Sequence, residues 1–146
     1  MKQFYPLKKS KHMNSNIENS EDKKDRPRLL VVDDDKYIRR ILAMGLSLEG
    51  FDVEQAADGL EAFEMLRNQR PDAITLDLMM PVMDGRSFIH RVRDELGSDV
   101  PIVVLTSVDR AEAMRDLAET GASAILHKPA EVHEIVKTLR ELKLEV

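Results

Sequence analysis

The 146 residues are 42% hydrophobic and 34% charged, the usual length of one domain with enough apolar material for one core. With no cysteine in the chain, disulfides, thiolate metal sites and cysteine nucleophiles are excluded. The net charge of −5 is uneven: residues 1–27 hold seven Lys/Arg against four Asp/Glu and the remainder fifteen against twenty-three, so the core-forming part is acidic and offers no basic patch to nucleic acid.

Residues 1–26 are polar, aperiodic and rich in Lys, Asn, Ser and Glu. They have too little apolar surface to offset ordering, which predicts a disordered tail ahead of a folded domain over 27–146. The basic start is followed by no apolar stretch, so it is not a secretory signal. No run in the chain approaches the roughly 20 apolar residues that cross a bilayer. The expectation is a cytoplasmic protein without a membrane anchor.

From Arg28 onward short apolar runs alternate with helical patterns. Leu29–Val32, Ala73–Leu76, Ile102–Leu105 and Ala124–Leu126 read as strands buried on both faces. Phe51–Ala56 alternates Phe51 and Val53 with Asp52 and Glu54, which suits a half-exposed edge strand. Between them, Ile38, Ile41, Leu42 and Gly45 share a helical face. So do Leu60, Phe63 and Leu66; Phe88, Ile89 and Val92; Met114, Leu117 and Ala118; and Val132, Ile135, Val136 and Leu139. Gly50, Pro71, Gly97 and Gly121 stand where the first four helices should stop. The eight methionines read as core filling. The histidines His12, His90, His127 and His133 do not cluster by spacing and read as structural or exposed.

Strand and helix alternate five times. This predicts an α/β fold with right-handed crossovers and helices on both faces of a parallel sheet. The chain ends soon after the last helix, so no output domain is expected. Ligands of such sheets bind beyond the carboxyl ends of the strands. There the sequence places Asp33-Asp34-Asp35, Asp77, Thr106-Ser107 and His127-Lys128-Pro129.

Taken singly, acidic residues after a strand are ordinary helix caps, a Thr is a turn residue and a Lys before Pro is exposed. Asp77 is the exception, because its carboxylate would share the edge with two others. Packed like charges need a cation, and a hard divalent ion such as Mg²⁺ is the simplest one. An ionised carboxylate is also a nucleophile that can accept a phosphoryl group. Mg²⁺, the Lys128 ammonium and the Thr106 hydroxyl would then each cover one phosphoryl oxygen.

Four blocks in this order carry a family resemblance: Val31-Val32-Asp33-Asp34-Asp35, Asp77 within LDLMMPVMDG, Thr106 within VLTS, and Lys128-Pro129. Together they resemble the signature of response-regulator receivers, the chemotaxis-regulator fold, over residues 28 to about 144. The resemblance implies a flavodoxin-like, five-stranded parallel sheet of order 2-1-3-4-5. It implies Asp77 as phosphoacceptor, with Asp33, Asp34, Asp77 and the backbone carbonyl of Met79 as ligands of Mg²⁺ or Mn²⁺. It further implies Thr106 as switch hydroxyl, Lys128 as phosphate-pairing lysine and a cis Lys128–Pro129 bond. Implied partners are a sensor histidine kinase or phosphotransfer protein as donor and a downstream protein that the sequence does not name. A weak dimer on phosphorylation is allowed for.

Such a chain is a phosphoacceptor rather than an enzyme with turnover. Its readout would sit near Ala111–Glu119 and Glu131–Leu142. Two positions depart from the family's habit. Ile125 stands where an aromatic ring often rotates on activation, and Ala130 stands where a Phe often packs, which would loosen that corner. Met79 and Val108 would overlook the phosphoryl group, and neither can orient an attacking water, so a long-lived phosphorylated state is expected. Two other readings compete with this one. One is a receiver fold that signals without phosphate. The other is a haloacid-dehalogenase-type phosphatase using Asp33-x-Asp35, which has no Asp beyond Lys128 to complete its metal site.

Overall fold

Continuous apolar runs become strands because both of their faces are covered. A computed structural model describes residues 26–144 apart from residue 81 and the side chains of residues 110, 116 and 117. The tail expected over residues 1–26 lies outside the described residues except for its last position. Ten elements alternate: β1 (Arg28–Val32), α1 (Lys36–Leu48), β2 (Asp52–Ala56), α2 (Gly59–Asn68), β3 (Ala73–Asp77), α3 (Gly85–Asp94), β4 (Ile102–Thr106), α4 (Arg110–Thr120), β5 (Ala124–His127) and α5 (Val132–Glu141). The sheet is parallel with order β2-β1-β3-β4-β5, as expected.

Burial follows strand position. β3 and β4 are buried throughout, while the edge strands β2 and β5 are partly exposed. Alternate side chains split the core in two. Leu30, Val32, Ile74 and Leu76 meet Phe63, Phe88 and Ile89 of α2 and α3. Leu29, Val31 and Val103 meet Leu46 of α1 and Ile135 and Leu139 of α5.

Aspartates start four of the helices. The side chains of Asp35, Asp58, Asp84 and Asp109 accept backbone N–H bonds at the first turns of α1, α2, α3 and α4. Each satisfies donors that the helix cannot, a contribution of about 1 kcal/mol. At the start of α5, Glu131 N–H donates to the Glu134 carboxylate instead, at 3.1 Å. Gly121 ends α4 at φ 87, a left-handed conformation that costs glycine little.

The inward faces differ from the expected ones at several positions. α1 buries Leu42, Ala43 and Leu46, leaving Ile38 and Ile41 38% and 66% exposed. Gly45 faces Val132 on α5. Leu60 is exposed at the start of α2, and on α4 it is Ala113, not Met114, that is buried. α1 carries apolar residues on two sides, and periodicity does not say which side a sheet will cover. Nor do the methionines act alike: Met80 is buried, whereas Met44, Met79 and Met114 are exposed.

Every strand runs in the same direction, so the molecule has two poles. Arg28, Asp52 and Asp72 sit together at the foot, where Asp52 N–H donates to Pro27 and Asp72 N–H to Arg28. The strands end at the other pole. Because β1 lies between β2 and β3, the crossovers from β1 and β3 leave in opposite directions and open a crevice above the ends of β1 and β3.

Candidate functional site

The crevice holds the residues singled out from the sequence. Asp33 and Asp34 follow β1, and Asp77 ends β3. One carboxylate oxygen from each lies within 4.8 Å of the others. Asp33 and Asp77 are buried, whereas Asp34 is exposed. From the end of β5, Lys128 reaches across the sheet and places Nζ 3.4 Å from Asp33 Oδ2 and 3.4 Å from Asp77 Oδ2. Its own N–H donates to the Thr106 carbonyl at 2.8 Å, which fixes the approach of that strand end. The Lys128–Pro129 peptide is cis, as the family resemblance implied.

Thr106 is buried at the end of β4, next to Leu105, which is the register partner of Asp77. Its hydroxyl accepts from Val108 N–H at 3.2 Å. Met79 N–H donates to Asp77 Oδ1 at 3.1 Å while its side chain points to solvent. Ile125 is half-buried against the core shared by α2 and α3. Ala130 is half-buried against the opposite core.

The electrostatics call for a further cation. Burial pushes the Asp77 carboxyl above the ordinary carboxylate range; Met79 N–H and Lys128 pull it back, and Asp33 pushes it up again. One ammonium faces three carboxylates, so when all are ionised the cluster carries two uncompensated negative charges. A divalent ion balances that count, and an all-oxygen donor set matches Mg²⁺ or Mn²⁺. The residues present therefore fit such an ion.

Supporting contacts that the sequence reading did not foresee surround the cluster. Arg39 Nη1 donates to the Asp33 carbonyl at 2.7 Å and ties α1 to the acidic turn. It sits one helical turn beyond the Asp35 cap. Asp33 Oδ1 accepts from Asp35 N–H at 2.9 Å, which holds the turn from within. Gly85 lies so close to the backbone of Leu78 that a Cβ there would stand 2.7 Å from its Cα. Asp35, which a phosphatase reading would need for chemistry, instead accepts from Tyr37 N–H and Ile38 N–H as a helix cap.

Comparison with known proteins agrees with this geometry. The model of the response regulator receiver domain matches residues 29–140, so the chain belongs to the response-regulator receiver family. Response regulator MprA of Mycobacterium ulcerans (strain Agy99) is 43% identical over 115 residues, which is 79% of this chain and 49% of that protein. MprA of Mycobacterium sp. (strain KMS) is 42% identical over the same length, covering 50% of that protein. The chain thus spans about half the length of these curated relatives. Among solved structures, the chemotaxis response regulator CheY4 of Vibrio cholerae is 35% identical with a TM-score of 0.75, over 80% of this chain and 98% of that one. A response regulator from Chloroflexus aurantiacus is 34% identical with a TM-score of 0.75, over 81% and 98%. Among the described residues, no helix is long and apolar enough to cross a membrane.

Proposed function

We propose that this receiver works as a phosphorylation switch in which Asp77 accepts a phosphoryl group from a phosphohistidine on a sensor kinase or phosphotransfer protein. The observation that carries the reading is the Lys128 ammonium set 3.4 Å from both Asp33 and Asp77 inside a cluster of three carboxylates. The chain is a phosphoacceptor in this reading, with no turnover beyond gaining and losing its own phosphoryl group.

Asp33, Asp34, Asp77 and the Met79 carbonyl would hold Mg²⁺ or Mn²⁺. When bound, the ion supplies charge neutralisation for the phosphoryl oxygens. The chain's own groups do the rest. A carboxylate oxygen of Asp77 attacks phosphorus, a P–O bond forms, and the P–N bond of the donor breaks with its electron pair returning to the imidazole. No general base is needed, because the nucleophile is already ionised. Lys128 pairs with the transferred group and loses its hold on the bare Asp77 carboxylate. Thr106 turns its hydroxyl from the Val108 N–H toward a phosphoryl oxygen. Phosphorylation adds roughly −1.5 to −2 charge, and these new contacts favour an altered surface that a downstream protein reads.

Mass spectrometry after incubation with acetyl phosphate tests this, with and without Mg²⁺, for the wild type and Asp77→Asn. A Mg²⁺-dependent gain of one phosphoryl group, absent from the variant, is expected. Equal labelling of Asp77→Asn would sink the assignment of the acceptor. Following the adduct after the donor is removed reads its lifetime, which the apolar Met79 and Val108 are expected to prolong.

A further inference from the structure

Asp33 uses nearly all of its polar atoms to hold its own turn. Its N–H donates to the Ala56 carbonyl at 3.2 Å, its Oδ1 accepts from Asp35 N–H at 2.9 Å, and its carbonyl accepts from Arg39 Nη1 at 2.7 Å. Oδ2 is left for the crevice, where Lys128 Nζ meets it at 3.4 Å. The carbonyl held by Arg39 belongs to the peptide unit that joins Asp33 to Asp34. A peptide unit is planar and turns as one piece, so holding its oxygen fixes the direction in which the chain presents Asp34. Asp34 depends on that support. It is the exposed member of the cluster, and its carboxylate accepts no hydrogen bond among the described residues.

On charge alone, an arginine does not belong here. Lys128 already faces the carboxylates as their ammonium partner. Arg39 is half-buried beside the same turn, yet it forms no ion pair among the described residues. Its guanidinium therefore holds a carbonyl and neutralises none of the three acids. A unit positive charge some 8 Å from a divalent ion weakens that ion's binding roughly fivefold in water-like surroundings. Removing such a charge should by itself help the cluster to hold an ion.

We propose that Arg39 is a positioning residue for the divalent ion: its bond to the Asp33 carbonyl sets Asp34 in place and raises the affinity by more than its charge lowers it. This role rests on the reading of Asp33, Asp34 and Asp77 as an ion site. Groups that orient a metal ligand without touching the metal commonly change affinity by about 10–100-fold, more than the opposing charge effect. The brace also joins α1 to the site. Arg39 N–H donates to the Asp35 carbonyl at 2.9 Å, and the Asp35 carboxylate caps α1 through Tyr37 N–H and Ile38 N–H. Asp33, Asp35 and Arg39 thus close a ring of hydrogen bonds, so the acidic turn and the first turn of the helix hold one another in place.

The two effects of Arg39 have opposite signs, which makes the test direct. Electron paramagnetic resonance of free Mn²⁺, titrated into the full chain at neutral pH and constant ionic strength, reads the affinity without a phosphodonor. Titrations well below each variant's melting temperature keep loss of fold from passing for loss of affinity. Arg39→Met removes charge and bond together and is expected to weaken Mn²⁺ binding at least about tenfold. Arg40→Met removes an equal charge from the exposed neighbour and should tighten binding, by less than about fivefold. In an Asp34→Asn background the loss from Arg39→Met should shrink to less than about threefold, because the brace then has no carboxylate to place. Unchanged or tighter binding in Arg39→Met would overturn the proposal while leaving the ion site standing. A tenfold loss that persists in the Asp34→Asn background would overturn it as well. A wild type that binds no Mn²⁺ would overturn the ion site itself, and this role with it.

Discussion

The surroundings of Asp77 disfavour its ionised form, and the protein's stability records the cost. Burial favours its neutral form, and the Met79 N–H and Lys128 offset this only in part. A carboxyl group raised above its unfolded value binds its proton more tightly in the folded state. It therefore favours folding below its unfolded pKa and loses that contribution as pH rises through the folded one. At neutral pH without metal, the ionised Asp77 opposes folding. Asp77→Asn is thus expected to unfold at higher urea than the wild type at pH 7, with the advantage shrinking as pH falls into the acid range. An advantage that grew on acidification would mean that Asp77 is stabilised, not strained, as a carboxylate. The residue types at this site were legible because each stands at the end of an apolar run, where the topology delivers side chains to one edge. The role of Arg39 was not, because its hydrogen bond goes to a backbone carbonyl, which leaves no trace in the pattern of acidic residues.

At the scale of elements, the connection from β3 to α3 holds backbone strain close to Asp77. Val82 sits there at φ 69 with its side chain exposed. A β-branched residue in the left-handed region costs about 1–2 kcal/mol. Glycine would relieve the strain but would lose about 0.5–1 kcal/mol through the freedom of the unfolded chain. Asn tolerates the conformation without that loss, so Val82→Asn is expected to raise stability by about 1 kcal/mol in urea denaturation. No gain would argue that the connection adopts a negative φ at this position in solution. The elements themselves were legible. β3 and β4 are continuous apolar runs, and β2 alternates as an edge strand should. The orientation of α1 was not legible, since Ile41 and Leu42 are adjacent in sequence and equally apolar, yet one faces solvent and the other the sheet. What decides is the fit of Leu42 and Leu46 between the sheet and α5, a tertiary property.

For the whole molecule, an ion held by the acidic cluster would couple folding to divalent ions. An ion that binds the folded chain at about a hundred times its Kd adds about 2.7 kcal/mol. For a domain of this size that raises the melting temperature by on the order of 8 °C. Mg²⁺ is expected to produce such a rise, a chelator to reverse it and Asp34→Asn, altered at the exposed ligand, to diminish it. A melting temperature indifferent to Mg²⁺ would mean that the three carboxylates do not bind it. The two poles carry a further consequence. β1 enters at Arg28 and α5 runs back from the end of β5, so both described ends leave from the foot of the sheet. Asp77 is the fifth residue of β3, five steps from Asp72 at the foot, or roughly 17 Å at about 3.3 Å per residue. At physiological ionic strength the Debye length is about 8 Å. A phosphoryl charge added at Asp77, as proposed, would stand about two Debye lengths from solvated charges at the foot, and would be felt there chiefly as a shift in packing and only weakly as a field.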